Sequence, residues 1–199
     1  MKLERIEWTN TWREDCTSGA PRVLLIGDSI TNGYKSVVHR LLEGRAGVTA
    51  YATSKAIDNP FLWEELLLLA KQENMQYAAI QVNNGLHFGS LSVEEYEKCY
   101  TELVEKLRRA FPTTPIALAL STPITKKGDP SIYAEENAAV LEKNAAVLRI
   151  AEKFSLPVRD LYAAVEGKVS LFAGDGYHYN GEGYEVLGRA VADGILDLL

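Results

Sequence analysis

At 199 residues, 47% of them hydrophobic, the chain carries enough apolar material for one substantial core, read as a single domain over residues 1–199 with residues 1–21 packed onto it. Its 27 acidic and 21 basic side chains leave a formal net charge of −6 with no basic stripe, which argues against nucleic acid and fits a neutral or weakly charged substrate better. No stretch approaches the roughly 18 apolar residues of a membrane span and the charged amino terminus does not read as a signal peptide, so a cytoplasmic protein is expected unless a leader has been removed.

The first apolar run, Val23 to Ile26, is rich in β-formers and breaks at Gly27. Val48–Ala52, Ala78–Val82 and Ile116–Leu120 read as three further strands, and Leu156–Val158 as a fifth. Between them lie helical patterns over Ser36–Glu43, Phe61–Gln72, Val93–Ala110 and Ala134–Phe154, with a last helix from Gly181 to Leu199. Alternating strands and helices imply crossover connections. The expected fold class is therefore α/β: a flavodoxin-like three-layer sandwich with a five-stranded parallel sheet in the order 2-1-3-4-5 and helices on both faces. Sites in such sheets lie beyond the carboxyl ends of the strands. Residues 122–133 and 167–176 read as the longest irregular loops. Cys16 and Cys99 are too few and too far apart for a disulfide framework and read as reduced thiols.

Three groups of residues carry chemistry. Ser29 follows Gly27-Asp28 at the end of the first strand, where its hydroxyl leaves the sheet and its backbone N–H opens a turn or helix; an N-cap serine is the alternative reading. Asp175 and His178 stand three residues apart ahead of the last helix, a spacing at which a carboxylate reaches Nδ1 of the ring and leaves Nε2 free to act as a base. The run Gln81-Val-Asn83-Asn84-Gly85-Leu-His87 places side-chain amides at the end of the third strand, although Asn-Asn-Gly is also an ordinary turn sequence.

With Gly27-Asp28-Ser29-Ile30, Asn83-Asn84-Gly85 and Asp175-x-x-His178 in this order, the chain resembles the SGNH hydrolases, also called the GDSL esterase and lipase superfamily, in a branch with an Asn-Asn-Gly-Leu-His third block. The resemblance implies a serine esterase working through an acyl-enzyme, without metal or organic cofactor. Ser29 would be the nucleophile, His178 the general base and Asp175 the residue that orients it. The oxyanion hole would comprise the N–H of Ser29, a second-block backbone N–H and the Asn84 side chain, with Asn83 as a rival. The second-block glycine is absent, which leaves Ser54 or Lys55 to supply that N–H. Gly85 stands where the family usually has aspartate.

The loops around the expected site mix polar and aromatic residues, and Asp28, Tyr34, Asn83, His87 and Tyr177 stand as candidate substrate contacts. Such a rim suits a sugar, and the Asn-Asn-Gly-Leu-His form resembles a branch of the superfamily often found among carbohydrate esterases; the resemblance therefore implies a small-molecule or oligosaccharide ester as substrate, with O-deacetylation of a carbohydrate as the preferred reading. A lysophospholipase or thioesterase and a catalytically silent carbohydrate-binding protein of the same fold are the alternatives.

Overall fold

The computed structural model describes residues 6–14, 19–88 and 90–199; Cys16 lies outside them. In chain order the elements are β1 (Thr9–Arg13), β2 (Arg22–Gly27), α1 (Ser29–Leu41), β3 (Gly47–Thr53), α2 (Pro60–Gln72), β4 (Ala79–Val82), α3 (Val93–Ala110) and β5 (Ile116–Ala119). There follow β6 (Thr125–Lys126), β7 (Asp129–Tyr133), α4 (Asn137–Phe154), β8 (Val158–Arg159), α5 (Leu161–Val165), a short 3-10 turn over Val169–Leu171, and α6 (Gly181–Leu196). The main sheet has six strands in the order β1-β3-β2-β4-β5-β8. Its five parallel strands are the expected ones in the expected 2-1-3-4-5 order. The sixth, β1, is an antiparallel edge strand that pairs Thr9 with Thr53 and Arg13 with Thr49.

The three layers follow from the period of two in β2, because successive side chains of a strand point to opposite faces. Leu24 and Ile26 enter a core shared with Leu66 of α2, Val104 of α3 and Val147 of α4. Val23 and Leu25 enter the other, with Val38 of α1 and Leu187 and Val191 of α6. The side chains at the centres of both cores are fully buried, and full burial of each such leucine or valine contributes about 1.5–3 kcal/mol.

Besides the added strand β1, the structure departs from the expectations in three places. Helix α1 begins at Ser29 rather than Ser36, because Asp28 caps it and Ile30, Tyr34 and Val38 all bury on its inner face. Residues 122–133 are not an irregular loop: they hold the β6–β7 hairpin. The segment after β8 forms the additional short helix α5, capped by Asp160, whose side chain accepts the N–H of Ala163 at 2.9 Å. Among the described residues no helix is long and apolar enough to cross a membrane.

Candidate active site

The site begins where β2 gives way to α1. Asp28 is extended (φ −120°, ψ −151°), and its Oδ1 accepts the N–H of Ile30 at 2.9 Å, so the chain turns from strand to helix in one residue. Ser29 is therefore the first residue of α1. Its hydroxyl is half-buried at the sheet edge, and its N–H is one of the helix-initial donors that have no partner within the helix. The other Asp28 oxygen accepts the N–H of Leu86 at 2.9 Å, which ties the turn after β4 to the turn after β2. Gly85 is needed at this crossing, because a Cβ there would lie 1.6 Å from Asp28 Oδ2.

The second arm comes from the loop before α6. His178 Nε2 lies 2.9 Å from Ser29 Oγ, across 149 positions of sequence. Its Nδ1 lies 2.6 Å from Asp175 Oδ2. Asp175 Oδ1 accepts the backbone N–H groups of Tyr177 at 2.9 Å and His178 at 2.8 Å. Burial pushes the Asp175 carboxyl up, but the N–H of His178, its ring and the N–H of Tyr177 outweigh it and hold the group down at about 2. A carboxylate can only accept, so Nδ1 carries the ring proton and Nε2 is left to accept from the serine hydroxyl.

The third group sits at the end of β4. Asn84 is buried, and its Nδ2 donates to the Lys55 carbonyl at 3.2 Å, leaving the second N–H of that amide unassigned. Asn83 does not share the role. Its Nδ2 donates to the Ala119 carbonyl at 2.8 Å and its Oδ1 accepts the N–H of Gly85, so both ends of the amide are spent on the turn itself.

Four other expected contacts are corrected by the structure. The N–H of Ser54 donates to the Trp8 carbonyl at 3.1 Å, because β1 extends its pairing with β3 past Thr53. The N–H of Lys55 donates to Thr53 Oγ1 at 3.2 Å, and its ammonium is held between Thr9 Oγ1 at 2.9 Å and Glu65 Oε1 at 3.1 Å. Neither N–H is open toward a substrate. Asp28 is 1% exposed and fully engaged by Ile30 and Leu86. Tyr34 is likewise 1% exposed; its hydroxyl pairs with Thr31 Oγ1 at 2.9 Å and accepts from Gln81 Nε2 at 3.3 Å, and burial raises its pKa. It is a core residue, as its spacing with Ile30 and Val38 allows. His87 packs edge-on against Trp8, with ring centroids 6.3 Å apart. Tyr177 is exposed and borders a groove of about 560 Å³ that Asp175, Lys126 and Tyr133 also line.

A profile of the GDSL-like lipase/acylhydrolase family matches residues 25–186, a span that contains Ser29, Asn84, Asp175 and His178. The chain belongs to this family. Among solved structures, the lipase/acylhydrolase from Enterococcus faecalis superposes with a TM-score of 0.71 at 18% identity, over 88% of this chain and 95% of that one. An acetyl xylan esterase does so with a TM-score of 0.71 at 17% identity, over 87% and 99%. An acetylxylan esterase from Geobacillus stearothermophilus gives 0.65 at 20% identity, over 89% and 95%. At these identities the likeness is one of fold. No curated protein matches by sequence.

The family profile begins inside β2, so the edge strand β1 lies outside it. Two features near the site of this GDSL-like chain carry only weak local signals: the β1 clamp on the second block and the β6–β7 hairpin beside Asp175. Alternating Thr9, Thr11 and Trp12 was the available signal for the first, and Lys127-Gly128-Asp129 the turn signal for the second. Among the described residues no group of three or more His, Cys, Asp or Glu is arranged to hold a metal ion.

Proposed function

We propose that this chain is a serine esterase that hydrolyses carboxylic esters through an acyl-enzyme, with Ser29 as nucleophile, His178 as general base and then acid, and Asp175 as the orienting carboxylate. The observation that carries it is the unbroken relay of 2.9 Å from Ser29 Oγ to Nε2 and 2.6 Å from Nδ1 to Asp175. The hydroxyl gives its proton to Nε2 as Oγ attacks the ester carbonyl. The imidazolium formed is stabilised by Asp175, and it returns the proton to the departing alcohol. Water, activated by the same ring, then frees the acid. The developing oxyanion is held by the Ser29 N–H at the head of α1 and by the second Nδ2 hydrogen of Asn84. With Ser54 and Lys55 occupied, the hole has two donors in place of the three that the resemblance implies.

For the substrate class we infer an acetylated carbohydrate. Two of the fold relatives are named as acetyl xylan esterases, and the rim beside Asp175 is polar and aromatic, with Tyr177 and Tyr133 exposed. An aromatic face of this kind suits a sugar ring. The test has two parts. A fluorophosphonate probe should label the wild type and not Ser29→Ala, and labelling absent from the folded wild type would favour a silent binding protein. Among p-nitrophenyl esters acetate should far exceed octanoate, and acetylated oligosaccharides should release acetate; a preference for octanoate would move the substrate to lipid esters or thioesters.

A further inference from the structure

The β6–β7 hairpin is an exposed excursion between β5 and α4, and its tip makes no contribution to either large core. It nevertheless touches the loop that carries Asp175 at two points. The N–H of Thr125 donates to the Gly176 carbonyl at 2.9 Å, and the N–H of Gly128 donates to the Gly174 carbonyl at 2.8 Å. The two acceptors are the residues immediately before and after Asp175. Both have positive φ, +89° at Gly174 and +101° at Gly176, a backbone that only glycine adopts without strain. At Gly176 there is also no room: a Cβ would lie 2.8 Å from the Thr125 carbonyl oxygen.

The hairpin is itself anchored at its base. The N–H of Ile124 donates to Asn137 Oδ1 at 2.9 Å, and Asn137 Nδ2 donates to the Tyr162 hydroxyl at 2.8 Å, so a buried polar link joins it to α4 and α5. Ile124 packs there with Val140 and Tyr162. The rigid layers of the fold thus reach the exposed Asp175 loop through the hairpin backbone.

We propose that the β6–β7 hairpin is the positioning element of the Asp175–His178 arm. By gripping the carbonyls on either side of Asp175 it fixes the carboxylate against Nδ1, and so keeps Nε2 aimed at Ser29. Gly176, Gly128 and Thr125 are positioning residues in this sense: they act through Asp175 and touch no substrate. This rests on the esterase reading for its kinetic consequence but not for its geometric one.

Two variants test it. Gly176→Ala pushes the loop off the hairpin, and a second protein has the exposed tip Lys127–Pro130 replaced by Gly-Gly, which shortens the turn by two residues and draws its N–H groups back from the Gly174 carbonyl while leaving both cores intact. An imidazole deprived of its carboxylate loses on the order of 10⁴ in kcat, so partial release should cost each variant roughly 10- to 1000-fold in kcat on p-nitrophenyl acetate, with KM within about threefold. The far-downfield proton resonance of the His178 Nδ1–H should broaden or vanish in both. Gly44→Ala is the control: it imposes a positive-φ strain (+74°) where nothing lies within 4 Å, and should leave kcat and the resonance unchanged. If Gly176→Ala does not fold, the tip replacement carries the test. Wild-type kcat with the resonance in place in the folded variants overturns the proposal. A wild type that shows the resonance but neither fluorophosphonate labelling nor turnover would instead sink the esterase reading, and the effect of the variants on the resonance would still decide the positioning one.

Discussion

Ser29 stands on a turn whose neighbours Gly27, Asp28 and Ile30 are all buried, whereas the side chains of His178 and Asp175, which face it, are 39% and 46% exposed on a loop. The serine arm is a product of the core. Strand β2 is covered on both faces, Asp28 caps α1, and moving the hydroxyl means disturbing Val23 to Ile26. The histidine arm has no such burial and is held by directional bonds: two from the N–H groups of Tyr177 and His178 to Asp175, two from the hairpin, and the Ala173 N–H to the His178 carbonyl at 2.9 Å. Close packing resists displacement in every direction, while a hydrogen bond resists it in one and yields cheaply in others. Substitutions on the first arm should therefore register as lost stability. Those on the second should register as lost turnover in a protein that still folds.

The sharpest break in that comparison is removal of the reacting groups, where both arms should fail alike. Ser29→Ala and His178→Ala are each expected to lower kcat on p-nitrophenyl acetate by about 10⁴-fold or more, and the double variant by no more than either alone, because the groups act as a unit. Additive losses in steady-state or single-turnover assays would contradict the shared step. Next comes Asp175→Asn, with an expected loss approaching 10⁴ in kcat and little change in thermal midpoint, since the group is half exposed.

Asp175 also fixes a pH dependence. Its carboxyl is held down at about 2, below the ordinary value of about 3.9, so what it contributes is fully present above the ordinary value and is lost as the pH falls toward about 2. The carboxylate consequently persists at every pH above its ordinary value. A kcat/KM profile should therefore show no acid-side loss attributable to Asp175 above about pH 4. A second acid-side ionisation above about pH 4 would contradict the assignment.

The sequence made the core arm readable in outline and the loop arm readable in its residues, for different reasons. Alternation of apolar runs with helical periods follows directly from burial, so five strands, their order and α3 over Val93–Ala110 were all legible. Ser29, Asp175 and His178 were legible because their residue types and spacings are unusual in combination. What remained hidden depends on partners distant in sequence. Strand β1 exists because β3 offers an edge, and only that pairing reveals that the N–H of Ser54 is taken. Tyr34 stands among the candidate substrate contacts as an aromatic residue beside the site; its spacing of four from both Ile30 and Val38 places it on the buried stripe instead. Asn83 and Asn84 are indistinguishable as residue types, and only the bonds of Asn83 to Ala119 and Gly85 separate them.

That separation sets the next prediction, which is smaller. Asn84→Ala should lower kcat by roughly 10²–10³ with KM little altered, the scale of one lost oxyanion donor. Asn83→Ala should instead act on the fold, since it strips bonds from the Ala119 carbonyl and the Gly85 N–H and leaves them buried. Reversal of the two outcomes, read from kcat and from urea midpoints on the same pair of proteins, would exchange their roles.

The smallest effect probes the serine arm where it is most enclosed. Tyr34→Phe removes a hydroxyl that pairs with Thr31 and accepts from Gln81 in a buried setting, and it leaves those partners without a substitute. The expected cost is about 1–3 kcal/mol of unfolding free energy, seen as a lower urea midpoint at unchanged slope. Because the ring still fills its space against Val38 and Leu187, Ser29 should not move and kcat should stay within about twofold. Tyr177→Phe, on the exposed loop, should leave the midpoint unchanged. A fall in kcat for Tyr34→Phe without a fall in stability would mean that the core tyrosine reaches the chemistry after all, and that the division between a packed arm and a hydrogen-bonded arm is drawn in the wrong place.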